Sequence, residues 1–80
     1  MNHAQQLHEA AKLWLNPNSR DVAEIRLDDL LNPTAEDAIV SIEILRDDEH
    51  TSAVQVFQES GTETRIWIGG PIDHIPGDRS

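Results

Sequence analysis

The chain has no cysteine and no tyrosine, a single phenylalanine and only six basic residues. Each shortage excludes something. Without cysteine there is no disulfide framework and no thiolate nucleophile or zinc ligand, and a reducing compartment such as a bacterial cytoplasm is the expected location. No apolar run approaches the roughly 18 residues of a membrane span. The opening MNHAQQLHEA has neither a basic segment nor an apolar block, so no signal peptide is expected. Asn32-Pro33-Thr34 has the outline of a glycosylation site, but its proline disqualifies it.

Recognisable catalytic patterns are also missing. There is no Gly-x-Ser-x-Gly, no phosphate-binding glycine loop and no His-x-x-x-His pair among His3, His8, His50 and His74. The loop Asp47-Asp48-Glu49-His50 lacks the spacing and the glycine of a calcium loop. Gly69-Gly70-Pro71 reads as a strand terminator, since proline removes a backbone donor. The expectation is a protein that is not an enzyme and that uses no metal and no cofactor.

What the chain has in excess is negative charge, 15 acidic residues against 6 basic ones, for a formal net charge of −9 over 80 residues. Such a chain is repelled by nucleic acid and by anionic lipid and drawn to basic protein surfaces. Eighty residues make a single domain, 1–80, which buries only roughly 60% of its unfolded surface.

Periodicity gives the fold. Ala4, Leu7, Ala11 and Trp14 recur at helical spacing over residues 3–15, and Asn16-Pro17-Asn18 ends that helix. Residues 22–31 fit two descriptions. Ala23, Ile25 and Leu27 alternate as in a strand, which is the reading preferred for 22–27, while Ala23, Leu27, Leu30 and Leu31 share a helical face. Thr34-Ala35-Glu36-Asp37 is close to a capping box and predicts a helical turn. Residues 39–45, 53–59 and 64–68 are β-branched and alternating, with turn-like connectors between them, and predict an antiparallel meander. Pairing Ile44 with Val54 and Val56 with Ile66 puts Ile42, Ile44, Val54, Val56, Ile66 and Ile68 on one face. The first helix is the natural cover for that face. The predicted fold is α+β, an N-terminal helix packed on a three- to four-stranded antiparallel sheet, with 70–80 as an extended tail.

The same pairing sends Glu43, Gln55 and Trp67 to one row of the opposite face, and Ser41, Phe57 and Arg65 to another. Phe57 and Trp67 are then either buried by a second layer or exposed as a binding surface rimmed by Glu43, Glu59, Glu63 and Arg65. Aromatic residues and arginine are over-represented among interface hot spots. The remaining acids cluster at turns as Asp28-Asp29, Glu36-Asp37 and Asp47-Asp48-Glu49. They are either solvated loops or carboxylates facing a basic groove. Duplex DNA presents about one charge per 1.7 Å of axis, so a protein imitating it needs carboxylates spread over one surface.

With these acidic clusters, its small size and its lack of cysteine, the chain resembles small phage-encoded inhibitors, in particular anti-CRISPR proteins. The resemblance is one of overall profile along the whole chain. It implies a stoichiometric inhibitor that occupies the basic nucleic-acid-binding surface of a CRISPR effector complex. It implies no direct contact with nucleic acid or membrane, and a monomer or small homo-oligomer in the cytoplasm of a bacterial host. The residues expected to meet the partner are Asp28, Asp29, Glu36, Asp37, Glu43, Asp47, Asp48, Glu49, Phe57, Glu59, Glu63 and Trp67. The alternatives are an antitoxin or immunity protein neutralising a basic toxin, and an assembly subunit that uses the Phe57/Trp67 face.

Overall fold

In a computed structural model, which describes residues 2–46 and 52–77, the chain runs α1 (His3–Leu15), a 3₁₀ turn (Pro17–Ser19), α2 (Arg20–Leu31), β1 (Ile39–Arg46), β2 (Ser52–Gln58), β3 (Glu63–Trp67) and β4 (Ile72–Ile75). The strands form one antiparallel sheet in the order β1-β2-β3-β4, and the helices pack on one side of it. The architecture is α+β.

Helix α1 starts where Asn2 closes a capping box. The Asn2 side chain accepts from the Gln5 N–H at 2.8 Å, and the Gln5 side chain accepts from the Asn2 N–H at 3.1 Å. It ends at Asn16, ahead of Pro17. The elbow that follows is tied back to α1. Ser19 Oγ donates to the Leu13 carbonyl at 2.7 Å, and Arg20 Nε donates to the Trp14 carbonyl at 3.0 Å with its guanidinium over the Trp14 ring. The chain therefore reverses and runs α2 beside α1.

Residues 22–27 are part of helix α2, not a strand. Ala23 and Leu27 are fully buried, and Leu30 and Leu31 pack against the core. The alternation that suggested a strand includes Ile25, which is 64% exposed. Residues 34–37 form no helical turn either. They lie in a loop in which Ala35 takes φ 59°, outside the helical region.

The sheet's helix-facing residues include Ile42, Ile44, Val54, Val56, Gln58, Thr64, Ile66, Ile72 and His74, and the core joins Val54, Val56 and Ile66 to Leu7, Ala10, Ala11 and Leu27. The β1–β2 register pairs Ile44 with Val54 and Ile42 with Val56. Between β2 and β3 the register is two residues from the expected one, with Val54 opposite Ile66 and Val56 opposite Thr64. The turn is the cause. Gly61 donates to the Gln58 carbonyl at 2.9 Å and takes φ 90°, while the Gln58 N–H donates to the Thr62 carbonyl at 3.0 Å. That closure pairs residue 58 with 62, and the ladder follows from it. A two-residue shift keeps every side chain on its own face.

The expected tail contributes the fourth strand. Ile72 pairs with Ile66 and Ile75 with Glu63, after a turn in which Gly69 takes φ 76°. A polar staple ties the end of α2 to the β2–β3 turn. Asp37 accepts from the Ser60 N–H at 2.8 Å and from the Ser60 hydroxyl at 2.7 Å. The buried Gln58 amide donates to the Leu31 and Asp37 carbonyls, each at 3.0 Å. Both N–H donors of that core-facing amide nitrogen are thereby used, which is what makes a polar residue tolerable there.

Candidate functional site: the outer face of the sheet

Strands β1 to β4 present their alternate residues on the side opposite the helices. Three rows cross this face. Ser41, Phe57, Glu63 and Ile75 form the first, and Glu43, Gln55, Arg65 and Asp73 the second. Leu45, Ala53 and Trp67 form the third. Trp67 therefore lies one row from its expected place beside Gln55, and Arg65 one row from its expected place beside Phe57. Phe57 and Trp67 do share the face, but the Gln55–Arg65 row stands between them. At about 3.3 Å per residue they are roughly 13 Å apart along the strands, two separate features and not a contiguous aromatic pair.

No second layer covers this face among the described residues. Residues 22–31 are on the far side as α2, and 72–75 extend the sheet edge. Ser41, Glu43, Asp73 and Ile75 are exposed, and Gln55, Phe57, Glu63, Arg65 and Trp67 are half-buried. Only Ala53 is buried, a small side chain set between Leu45 and Trp67 on the neighbouring strands.

The half-burial comes from contacts made within the face. Arg65 donates to a Glu63 carboxylate oxygen at 2.8 Å, and its guanidinium lies 6.0 Å from the centre of the Trp67 ring. The Trp67 indole N–H donates to Asp73 at 3.2 Å. With its amide oxygen turned toward Arg65, Gln55 accepts from Nε and from a terminal guanidinium nitrogen, both at 3.2 Å. The result is a central arginine held on three sides, an indole ring fixed at its polar end, and carboxylates at Glu43, Glu63 and Asp73. Chemically this is a preorganised surface of net negative charge with one large aromatic anchor. Holding Trp67 in place in advance lowers the ordering cost of docking it on a partner.

The other expected contact residues are dispersed. Asp28 and Asp29 are exposed on α2, in the helix layer, and Asp28 also accepts from the Asn32 side chain at 3.2 Å. Glu36 is exposed in the loop after α2, whereas Asp37 beside it turns inward to Ser60. Glu59 is exposed in the β2–β3 turn. Asp47, Asp48 and Glu49 lie outside the described residues. Among the described residues, the carboxylates thus divide between the two sides of the sheet and are not gathered on one surface.

Asp73 and Ile75 belong to the outer face, which a tail over 70–80 would not supply; no alternation longer than the four residues of β4 marks them in the sequence. On α2, Val22 and Ile25 are exposed between Asp21, Asp28 and Asp29, a surface hidden by the strand reading. His3, His8 and His74 line one cleft of about 450 Å³ between α1 and the start of β4. His8 Nε2 lies 2.8 Å from the Gly70 carbonyl oxygen, so it is the donating nitrogen of that ring, and His74 Nδ1 lies 3.3 Å from Thr64 Oγ1. Among the described residues, no group of three or more acidic or histidine side chains is placed to hold a metal ion, and no helix is long and apolar enough to cross a membrane. No family model, curated protein or solved structure matches the chain.

Proposed function

We propose that this chain is a non-catalytic protein-binding domain that docks the outer face of its sheet on a basic, nucleic-acid-binding surface of another protein and blocks it. The observation that carries this reading is the uncovered face itself. It joins a fixed, half-buried Trp67 to the carboxylates of Glu43, Glu63 and Asp73 on a chain of net charge −9. Tryptophan and arginine are the residues that interface hot spots favour, and the carboxylates beside them suit a basic partner. The dispersal of Asp28, Asp29 and Glu36 shifts the weight from a duplex-like array of carboxylates to this single face. In the effector-inhibitor version of the proposal, the surface it blocks is the DNA-binding groove of a CRISPR effector complex.

The test is a gel-shift titration of purified effector complexes on their target duplex, with increasing amounts of this chain. The chain is expected to displace DNA, and raising the salt is expected to weaken the chain's own binding, because the long-range attraction is screened. Trp67→Ala is expected to lower the apparent affinity at least tenfold, the loss of a hot spot of about 1.4 kcal/mol or more, with a smaller fall in melting temperature than truncation of a core residue such as Ile66. An effect of Trp67→Ala on melting alone would contradict the proposal.

A further inference from the structure

The two edges of the sheet are unlike each other. Strand β4 has four residues and is bracketed by Pro71 and Pro76, which limits pairing by another strand. Strand β1 has eight residues, contains no proline and, among the described residues, pairs only with β2. Half of the N–H and C=O groups of such an edge point away from its one neighbour and can receive another strand.

This edge also carries apolar surface that its own chain does not bury. The helix layer sits mainly over β2 and β3. Ile39 and Ile42 reach the rim of the core, but Ile44, on the same helix-facing side, is 38% exposed. Val40, the extra residue of a bulge between Ile39 and Ser41, is 66% exposed. The bulge confines regular pairing to the stretch from Ser41 to Arg46.

We propose that β1 is a homodimer interface, in which the β1 strands of two copies pair antiparallel about a two-fold axis through Ile44. A second copy suits this edge because a two-fold axis perpendicular to the sheet keeps helix side with helix side. The exposed Ile44 of each copy then meets its equivalent, in the trough between the two helix layers. Charge selects the position of the axis. An axis at Glu43 would set two carboxylates opposite each other. An axis at Ile44 instead sets Glu43 opposite Leu45 and Arg46 opposite Ile42, so that no like charges face directly. The joined sheets form one eight-stranded sheet, twice the four strands of one chain. Edge pairing extends the outer face at Glu43 and Leu45 without covering it or reaching Trp67, so the inference stands or falls separately from the partner-binding proposal.

Light scattering across a concentration series tests it, with single-cysteine crosslinking as a second readout. Wild type is expected to dimerise. The dimer is expected to tighten as salt rises from about 0.05 M to about 0.5 M, since each copy has a net charge of −9 and their repulsion is screened. This is the reverse of the salt effect expected for a basic partner. Ile44→Lys is expected to weaken the dimer at least tenfold with an unchanged circular dichroism spectrum. Ile44→Cys places the sole thiol of the chain on the axis and is expected to oxidise rapidly to a disulfide dimer. Ile25→Cys, exposed on α2 and away from β1, is expected to dimerise like wild type but to stay largely uncrosslinked. A wild-type protein that stays monomeric at high micromolar concentration at both salts would overturn the proposal and leave the edge to a strand of some other protein. Equal crosslinking of Ile25→Cys and Ile44→Cys would overturn it too.

Discussion

Along β2 and β3, neighbouring residues sit in opposite environments. Val54, Val56 and Ile66 are fully buried against Leu7 and Leu27, while Gln55, Arg65 and Trp67, each one position away, are half-buried and joined by polar contacts. One face is dry and held by packing. The other stands in water with its side chains fixed by hydrogen bonds and an ion pair. The difference teaches which face is available to a partner. The helix layer already occupies the first, and using it for binding would mean unfolding the domain, whereas the second can be covered without loss of any core contact.

Truncations on the two faces should therefore differ in kind. Ile66→Ala is expected to cost about 2–5 kcal/mol in urea denaturation, because it removes buried methyl groups and leaves a cavity. Arg65→Ala, next along the same strand, is expected to cost less than about 1 kcal/mol, since its pair with Glu63 is partly solvated. Equal costs would mean that the outer face is covered after all.

The comparison sharpens at the staple between α2 and the β2–β3 turn. Asp37→Ala is expected to cost about 1–3 kcal/mol, because it strips the Ser60 N–H and hydroxyl of their acceptor. Glu36→Ala, its exposed neighbour, is expected to fall within about 0.5 kcal/mol of wild type in the same denaturation assay. If the two variants were alike, the acidic pair would be a simple solvated loop. The smallest effect has the opposite sign. Ala35 holds φ 59°, where a Cβ is unfavourable, so Ala35→Gly is expected to raise the denaturation midpoint by the equivalent of up to about 1 kcal/mol.

The strands of the meander could be read from the sequence because alternation in IVSIEIL, AVQVFQE and TRIWI is a two-residue signal that only a sheet with one buried face explains. Alternation fixes which face a residue occupies and not how far a strand slides. Two β2–β3 registers two residues apart both keep Val54, Val56 and Ile66 inside, and the choice between them rests with the φ 90° turn at Gly61. The same ambiguity moved Trp67 and Arg65 by one row on the outer face. Helix α2 was obscured because its solvent side carries Val22 and Ile25, which blur the contrast that marks an amphipathic helix. The staple joins residues 23 apart in sequence through polar side chains, and periodicity carries no trace of it. Gln58 is harder still, a polar residue at a core-facing position whose partners are two backbone carbonyls from elsewhere in the chain.

The central claim, that the Trp67 side of the sheet is open to solvent, can be measured on the free protein. In a Trp14→Phe variant Trp67 is the sole tryptophan, and its fluorescence reports that face alone. The expected result is red-shifted emission that acrylamide quenches readily in the folded protein. Blue-shifted emission that resists quenching until the protein is denatured would contradict an uncovered outer face and the binding role built on it.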